Sequence, residues 1–317
     1  MSRRNMHLIR SLPALSDAMT AIAIGNFDGL HRGHQAVIDT MHAAAAARGL
    51  VPGVLTFEPH PRRFFAPASA PFRLLRLADK LAGLRALGVA RVAMPRFTRA
   101  FADMPAETFL DQVLGRQLGA KIVVTGENFA FGAGRRGDRA TLVAWGAAHG
   151  VEILTVPPVR IDGEICSSST IRAAVAAGDV GRAAQWLGHP YRLSGRVVHG
   201  AGRGRSIGFP TANILLPPDL LTPAYGVYAV QAHTDNATYA GVANFGIRPT
   251  VTVDSVASLE VHLFDTLQEI YGEKLTISLV HKIRDEQKFE NLAALTAQIA
   301  QDCATARDLL ARHAPTS

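Results

Sequence analysis

Residues 21–34 read Ala21-Ile-Ala-Ile-Gly-Asn-Phe-Asp-Gly-Leu-His-Arg-Gly-His34, a short apolar run followed by a loop of glycine and polar residues and by the start of a helical stretch. This pattern predicts a strand over 21–27 and a helix over 34–48. A buried strand that leads through such a loop into a helix is the repeating unit of α/β domains. The glycines of the loop allow the backbone to approach a phosphate chain closely.

The alternation of strand and helix continues as far as Pro157. Nearly continuous apolar segments such as 121–125 are typical of parallel strands that are covered by helices on both faces. In doubly wound sheets of this kind ligands bind beyond the carboxyl ends of the strands, where residues 31–34 and the loop 126–132 both fall. The first half is therefore predicted to be a doubly wound, Rossmann-like α/β domain. Its further predicted strands are 51–57, 89–94, 121–125 and 151–156, and its further predicted helices are 78–87, 105–118 and 139–149.

The second half has a different pattern, in which short strands with alternating faces are separated by glycine and proline turns. Such strands predict antiparallel β-structure, as a small barrel or a sandwich. After them, Phe289, Leu292, Leu295 and Ile299 recur at helical spacing and predict a closing helix over 286–311. The expected domains are 1–187 and 188–317. A short helix is predicted around 171–177, and the predicted strands are 191–199, 225–233, 237–245, 257–265 and 274–282.

Length, charge and cysteine content restrict the class of protein. A chain of 317 residues is expected to form two domains. The net charge of +7 suits a polyanionic ligand, such as a nucleotide, a nucleic acid or an anionic membrane surface, without deciding among them. Cys166 and Cys303 are far apart and form no CxxC pair, so neither a disulfide framework nor a zinc site is indicated. With no run of 18 apolar residues, a cytoplasmic protein is expected.

Two helix starts in the first half are candidate anion sites. His31 and His34 lie three residues apart at a predicted helix start, close to N–H groups that have no partner within the helix. Two imidazoles there can donate hydrogen bonds to phosphate oxygens, although a bare HxxH is more often a capped helix start with surface histidines. A run of hydroxyl residues then precedes Arg172 in the first turn of another helix, for which an ordinary N-cap is the alternative.

The second half contains a glycine-rich loop and an acidic strand residue. The glycines of 202–208 leave backbone N–H groups able to face phosphates, and Thr211 and Asn213 project to the same side if extended. Oxygen ligands of this kind suit Mg²⁺ with its nucleotide, whereas a flexible hairpin loop is the alternative. Alternation places Glu260 and His262 on the face opposite Leu259, Val261 and Leu263, and such a glutamate is usually just solvated.

A series of motifs along the chain resembles one known family. The segments are GNFDGLHRGHQ (25–35), LTFEPHP (55–61), GENFAFGAGRRGD (126–138), SSSTIR (167–172), GRVVHGAGRGRSIGFPTANI (195–214), GVYAV (226–230), GVANFGIRPTV (241–251) and LEVHLFD (259–265). In this order they resemble the bifunctional riboflavin kinase/FAD synthetase family of bacteria. The resemblance covers nearly the whole chain.

The resemblance implies an N-terminal FMN adenylyltransferase of the nucleotidylyltransferase superfamily and a C-terminal riboflavin kinase barrel. It implies riboflavin, FMN and ATP as small-molecule substrates, FAD as the product, and Mg²⁺ as the metal that accompanies ATP. No nucleic-acid or membrane partner is expected, and the oligomeric state is left open. The alternatives are a monofunctional riboflavin kinase with an inactive or repurposed first domain, and a non-catalytic flavin- or RNA-binding regulator.

The family motifs also imply roles for individual residues. His31 and His34 contact the ATP phosphates, Arg172 closes over the triphosphate, and Glu260 is the general base that accepts the proton of the riboflavin 5′-hydroxyl. Thr211 and Asn213 are the implied metal ligands. The further ATP- and phosphate-binding residues are Gly25, Phe27, Asp28, Gly33, Asn128, Ser167, Ser168, Gly202, Arg205 and Gly208. A wall for flavin or adenine is formed by His60, Pro61 and Phe129, for which turn and loop packing is the alternative.

Two positions depart from the family pattern. Ser169 stands where the family usually has threonine, so the hydroxyl is kept and a methyl group is lost. Asn128 stands where aspartate is frequent, and because its amide carries no negative charge we assign it no metal.

Overall fold

A computed structural model describes residues 6–16, 18–200, 203–247, 257–265 and 270–312. The chain divides into two compact units. The first unit comprises Met1–Ala70 and Leu77–Ser167, and the second unit comprises Pro71–Arg76 and Ser168–Ser317.

The described part of the first unit is built on a parallel sheet, as the sequence predicts, but the sheet has six strands where five are predicted, because the short edge strand His7–Ile9 was missed. The strands are β1 (His7–Ile9), β2 (Thr20–Ile24), β3 (Val51–Leu55), β4 (Arg91–Ala93), β5 (Ala120–Gly126) and β6 (Glu152–Val156). Their order is β1-β4-β3-β2-β5-β6, and every neighbouring pair is parallel. The central strand β2 is buried along its whole length. A separate hairpin is formed by β7 (Arg160–Ile161) and β8 (Glu164–Ile165).

The strand order places the switch point of the sheet beside β2. From β2 the chain proceeds to β3 on one side, and it later returns to β5 on the other side. Loops that follow the two strands flanking such a point form a crevice at the carboxyl edge of the sheet. The loops after β2 and β5 are therefore the expected location of a ligand, and they carry residues 25–31 and 126–138.

The helices of the first unit surround this sheet. They are α1 (Arg32–Arg48), α2 (Pro61–Phe65), α3 (Leu77–Ala86), α4 (Arg99–Ala102), α5 (Ala106–Thr108) and α6 (Arg139–His149), together with a π-helix at Phe109–Gln117 that replaces most of the α-helix predicted over 105–118. Buried side chains of this π-helix, among them Leu110 and Leu114, pack in the same core as Ile22 and Val123 of the sheet. Strand β2 ends at Ile24, earlier than predicted, because Phe27 adopts φ +51°, which extended backbone does not allow.

The second unit contains a closed antiparallel barrel, so of the two predicted arrangements the barrel is present. Its strand order is β10-β13-β12-β11-β14-β9. The strands are β9 (Tyr191–Val198), β10 (Ala212–Leu215), β11 (Gly226–His233), β12 (Thr238–Ile247), β13 (Ala257–Leu263) and β14 (Lys274–Arg284). Strand β10 lies in a stretch for which the sequence predicts no strand, and it closes the barrel between β9 and β13.

Among the described residues, four helices accompany the barrel: α7 (Ser168–Ala177), α8 (Val180–Leu187), α9 (Arg203–Ser206) and α10 (Leu292–Arg312). The start predicted for the last helix, at 286, is wrong. The side chain of Asn291 accepts a hydrogen bond from the N–H of Ala294 at 2.9 Å and caps the helix there. Phe289 consequently lies before the helix, and Leu292 is 60% exposed. Ala306 and Leu310 pack α10 against the barrel instead.

Helices α7 and α8 belong with the barrel by their contacts, and α8 touches β9 and β14. Pro71–Arg76 also belongs to this unit, because the N–H of Leu221 donates to the carbonyl of Arg73 at 2.7 Å and Arg73 pairs with Asp219 at 3.3 Å. The units thus separate at Ser167, before the expected boundary at 188, which stays a prediction about the functional domains.

Candidate active sites

The loop between β2 and α1 is tightly bound to the sheet and conformationally strained. Its first N–H, from Gly25, donates to the carbonyl of Leu55 at 3.1 Å. Phe27 and Leu30 then adopt φ values of +51° and +46°, a region that residues with a side chain rarely occupy. Phe27 and Asp28 are buried. Strain of this kind persists only where the surroundings enforce it, and it is concentrated at functional sites.

His31 and His34 form a stacked pair at the start of α1. Their ring centroids are 3.6 Å apart and their planes differ by 22°. His31 is the N-cap, and its Nδ1 accepts a hydrogen bond from the N–H of His34 at 3.3 Å. Because a backbone amide can only donate, the neutral His31 ring carries its proton on Nε2. This assigns Nε2–H as the donor that His31 can offer to an anion.

The segment that ends at Ser167 passes beside this pair. The Sγ atom of buried Cys166 lies 3.6 Å from Nδ1 of His31. Burial raises the pKa of the Cys166 thiol, so the S–H proton is retained near neutral pH. A Cβ added at Gly33 would lie 3.2 Å from the carbonyl oxygen of Cys166, which shows how closely the two segments approach. Ser167 is thereby brought to the helix start that carries the histidines.

Ser168 and Arg172 belong to the second unit, where Ser168 is the first residue of α7. The Nε–H of Arg172 donates to the carbonyl of Phe72 at 2.8 Å, and its guanidinium lies 5.5 Å from the centroid of the Phe72 ring. Segment Pro71–Arg76 therefore holds the arginine that the sequence predicts to bind phosphate.

Residues predicted around the flavin or adenine lie in two loops of the first unit. Asn128 is exposed after β5, and the ring of Phe129 stacks on Phe131 at 5.4 Å. His60 is buried and caps α2, since its Nδ1 accepts from the N–H of Arg62 at 3.1 Å. Pro61 is the first residue of that helix.

In the barrel, three strands align a carboxylate with two amides. Asn213 of β10 lies directly opposite Glu260 of β13, and Glu260 lies opposite Asn244 of β12. Side chains directly opposite one another on neighbouring strands have Cβ atoms about 5 Å apart, so the three groups can interact. Asn213 is buried, and a Cβ at Gly200 would collide with its amide. Glycine is therefore needed at 200 for the loop to pass over Asn213.

The loop that leads into β10 is held by His262. Its Nδ1–H donates to the carbonyl of Pro210 at 2.8 Å, just before half-buried Thr211. Gly208 has φ +87°, where glycine is favoured. Arg205 is exposed in α9. Gly202, also predicted to bind phosphate, lies outside the described residues.

Within the described ranges, no group of three or more His, Cys, Asp or Glu residues is placed to hold a metal ion. None of the described helices is long and apolar enough to cross a membrane. A cavity of about 520 Å³ lies at the amino ends of β2 and β5, lined by Met19, Trp145 and His149 among others, and contains none of the predicted site residues.

Comparison with known proteins relates each half of the chain to an enzyme. A family model described as FAD synthetase matches residues 14–170, and one described as riboflavin kinase matches residues 187–310. A bifunctional riboflavin kinase/FMN adenylyltransferase of Escherichia coli is 42% identical over 98% of this chain and 100% of its own length. The chain belongs to the bifunctional riboflavin kinase/FMN adenylyltransferase family.

Other members of the family are similarly close. The relative from Pseudomonas fluorescens is 40% identical over 98% of this chain and 99% of its own, and that from Bacillus subtilis is 38% identical over 93% of both. A crystal structure described as a macrolide-efflux protein from Streptococcus pneumoniae is 31% identical, with a TM-score of 0.85 over 95% of this chain and 99% of that one.

The sequence did not reveal two residues that lie beside the candidate sites of this riboflavin kinase/FMN adenylyltransferase family member. Asn244 faces Glu260, and its sequence signals are its place in the motif GVANFGIRPTV (241–251) and the depletion of asparagine within strands. Lys80 is 4% exposed. It stands three residues after Leu77 and four before Leu84, a spacing that puts it on the apolar face of the predicted helix. A lysine on that face is the sequence signal that could have identified it.

Proposed function

We propose that this chain converts riboflavin and ATP to FMN in its barrel, and FMN and ATP to FAD and pyrophosphate at the switch point of its parallel sheet. The observation that carries the proposal is the presence, in one chain, of the stacked His31–His34 pair at a helix start and of Glu260 aligned with Asn213 in a barrel. Each arrangement suits one of the two reactions.

In the adenylyl transfer, a phosphate oxygen of FMN forms a bond to the α-phosphorus of ATP, and the bond from that phosphorus to the bridging oxygen of pyrophosphate breaks. Negative charge grows on the phosphate oxygens as pyrophosphate leaves. The Nε2–H of His31 and the ring of His34 lie at the helix start where such charge is stabilised. Arg172 is proposed to bind the same triphosphate. The remaining contacts are proposed to come from Gly25, Phe27, Asp28, Gly33, Asn128, Ser167 and Ser168.

In the kinase reaction, the 5′-hydroxyl oxygen of riboflavin forms a bond to the γ-phosphorus, ADP leaves, and the hydroxyl proton passes to the carboxylate of Glu260. The Thr211 hydroxyl and the Asn213 amide oxygen would hold Mg²⁺, whose remaining ligands would include ATP phosphates. Asn213 is buried opposite Glu260, so its side-chain amide, the proposed metal ligand, lies beside the proposed base. When bound, the ion neutralises charge on the transferred phosphoryl group. Gly202, Arg205 and Gly208 are proposed to bind the phosphates.

His60, Pro61 and Phe129 are proposed to lie beside the flavin or adenine. Both reactions are proposed to take place in the cytoplasm. A cytoplasmic location would supply the ATP that both reactions consume. It also suits Cys166 and Cys303, which form no disulfide, because the cytoplasm keeps thiols reduced. Macrolide efflux is not part of the proposal, because both family models that match the chain describe enzymes of flavin metabolism.

A time course tests both activities together. Purified protein is incubated with riboflavin, ATP and Mg²⁺, and the flavins are separated by chromatography. We expect FMN to rise first and FAD to follow. Accumulation of FMN alone would indicate a monofunctional kinase, and unchanged riboflavin would contradict the enzyme proposal. RNA binding that weakens steeply with salt, without ATP consumption, would indicate a regulator instead.

The variant Glu260→Gln separates the two reactions. We expect it to lose kinase activity by about 10²- to 10⁴-fold, because the amide cannot accept the proton, and to adenylylate supplied FMN at the wild-type rate. Exposed Glu273, on the same barrel unit, gives the matched control Glu273→Gln, which should retain both activities. Equal loss of both activities in Glu260→Gln would point to misfolding instead, and kinase activity near the wild-type rate would contradict the role of Glu260.

A further inference from the structure

Lys80 of α3 is a buried cation for which the reactions above have no use. Its side chain is 4% exposed, and its Nζ donates to the carbonyl of Asn26 and to Oγ1 of Thr56, each at 3.3 Å. Removing an ammonium group from water is costly unless the group is well bonded. A buried charge kept at the edge of a ligand-binding sheet is therefore a candidate for a functional role.

The partners of Lys80 place it beneath the strained loop. Asn26 follows β2 and Thr56 follows β3, so both lie at the carboxyl edge of the sheet. Thr56 is 0% exposed, and its N–H donates to the carbonyl of Ala93 at 2.9 Å. Its hydroxyl also donates to the carbonyl of Asn26, at 3.2 Å. The carbonyl of Asn26 is thus held by two donors, one from the sheet and one from α3.

Helix α3 supports this loop at a second point. A Cβ added at Gly83 would collide with Cδ1 of Leu30, so the absence of a side chain there lets Leu30 pack against the helix. Lys80 and Gly83 are three residues apart and share one face of α3. The helix therefore contacts the loop near both ends of the loop, at Asn26, just before the positive φ angle of Phe27, and at Leu30, whose φ angle is also positive. Such a support is what a strained loop requires.

We propose that Lys80 is a positioning residue for adenylyl transfer. By fixing the carbonyl of Asn26 it holds the loop in the conformation that presents His31 and His34 to the α-phosphate. Its ammonium group, bonded to the carbonyl of Asn26, also lies at the carboxyl edge of the sheet, where its charge favours the negative charge that develops on the departing pyrophosphate. This inference rests on the function proposed for the first unit.

The variant Lys80→Met keeps most of the length of the side chain and removes the charge. We expect its kcat for FMN adenylylation to fall about 100-fold, as for other small misplacements of catalytic groups, with KM for FMN within twofold of wild type. Riboflavin kinase activity of the same protein should stay within twofold and is the control for enzyme concentration and for the second unit, while the unchanged KM for FMN is the control for folding of the first unit, which contains Lys80. Exposed Arg85, in the last turn of α3, gives the matched control Arg85→Met, which should retain both activities.

Chemical rescue distinguishes the charge from mere filling of space. In Lys80→Ala, the missing atoms correspond to the propylammonium ion. We expect added propylammonium to restore adenylylation at least tenfold, and 1-propanol, which has a similar shape and no charge, to leave it unchanged. A role limited to packing would give the same response to both compounds.

Two results would overturn the role of Lys80. One is Lys80→Met adenylylation within threefold of wild type. The other is a loss of adenylylation that raises KM for FMN and that propylammonium does not restore, which would show structural support only. Wild-type protein that forms FMN but no FAD would instead contradict the function proposed for the first unit, so the two failures can be told apart.

Discussion

His31 combines a structural and a chemical role in one side chain. Its Nδ1 accepts the N–H of His34 and so caps α1, while the ring proton is on Nε2, the atom proposed to donate to the triphosphate. The ring of His34 stacks on the capping ring at a centroid distance of 3.6 Å. Because a backbone N–H can only donate, Nδ1 of the capping ring carries no proton. The neutral, Nε2-protonated form of His31 is therefore the one the cap selects.

Two substitutions separate the cap from the donor. His31→Ala removes both, so we expect the first unit to lose about 1 kcal/mol of stability and adenylylation to fall about 10²- to 10³-fold. His31→Asn keeps a side chain that caps helices well, so stability should recover while activity stays low. Thermal unfolding and FAD formation from supplied FMN measure the two effects. Full activity in His31→Asn would contradict the donor role.

Among the elements, strand β14 and helix α10 are joined by a buried ion pair. Arg284 binds Asp302 through two nitrogens, with Nη2 to Oδ2 at 2.7 Å and Nε to Oδ1 at 3.0 Å. The carboxylate, 3% exposed, also accepts from Gln298 at 2.9 Å. Burial, together with the negative charge of Asp302, raises the pKa of neighbouring Cys303 to about 11. The pair thus fixes where α10 lies on the barrel wall.

Removing one partner of this pair should destabilise the barrel. Asp302→Asn leaves Arg284 without its counter-charge, and we expect a loss of about 3 kcal/mol in the free energy of unfolding of the second unit. The control is Asp265→Asn, which breaks the exposed pair between Asp265 and Arg307 and should have a much smaller effect. Urea unfolding followed by fluorescence measures both. Equal effects would show that burial does not determine the strength of the Arg284–Asp302 pair.

At the scale of the whole molecule, the structural units and the matched family segments differ in their limits. The FAD synthetase match ends at residue 170 and the riboflavin kinase match begins at residue 187, whereas the compact units separate at Ser167. Helices α7 and α8 occupy the interval. Val180, Ala183, Trp186 and Leu187 are buried on α8, which contacts β9 and β14. We infer that the barrel needs these helices for its stability although the kinase segment begins after them.

Fragments of different length test this inference. A fragment of residues 168–317 should unfold at a higher temperature than one of residues 188–317, because the shorter fragment exposes barrel surface that α8 covers. Both fragments retain Glu260 and Asn213, so riboflavin kinase activity provides a common measure of folding. Equal melting temperatures would place the boundary at 188, where the sequence predicts it.

Much of the molecule could be predicted from local sequence. Each predicted strand and helix of 21–156 has its whole apolar run or helical period within its own short stretch of sequence. The parallel sheet was therefore predicted nearly strand by strand. The four-residue strand β10 was not, because it is too short for a periodic signal and forms only by pairing with β9 and β13. The start of α10 was also wrong, because the cap at Asn291 outweighs the apolar spacing of Phe289.

The sequence by itself determined the two fold classes, the family and the residue types at both candidate sites, because those properties are carried by patterns and motifs within short stretches of chain. Only the tertiary structure brought Asn213 and Asn244 to either side of Glu260, placed Lys80 beneath the carbonyl of Asn26, and joined Pro71–Arg76 to the barrel unit. These contacts join residues distant in sequence. They depend on strand register and on the burial of a charge, which no local pattern specifies.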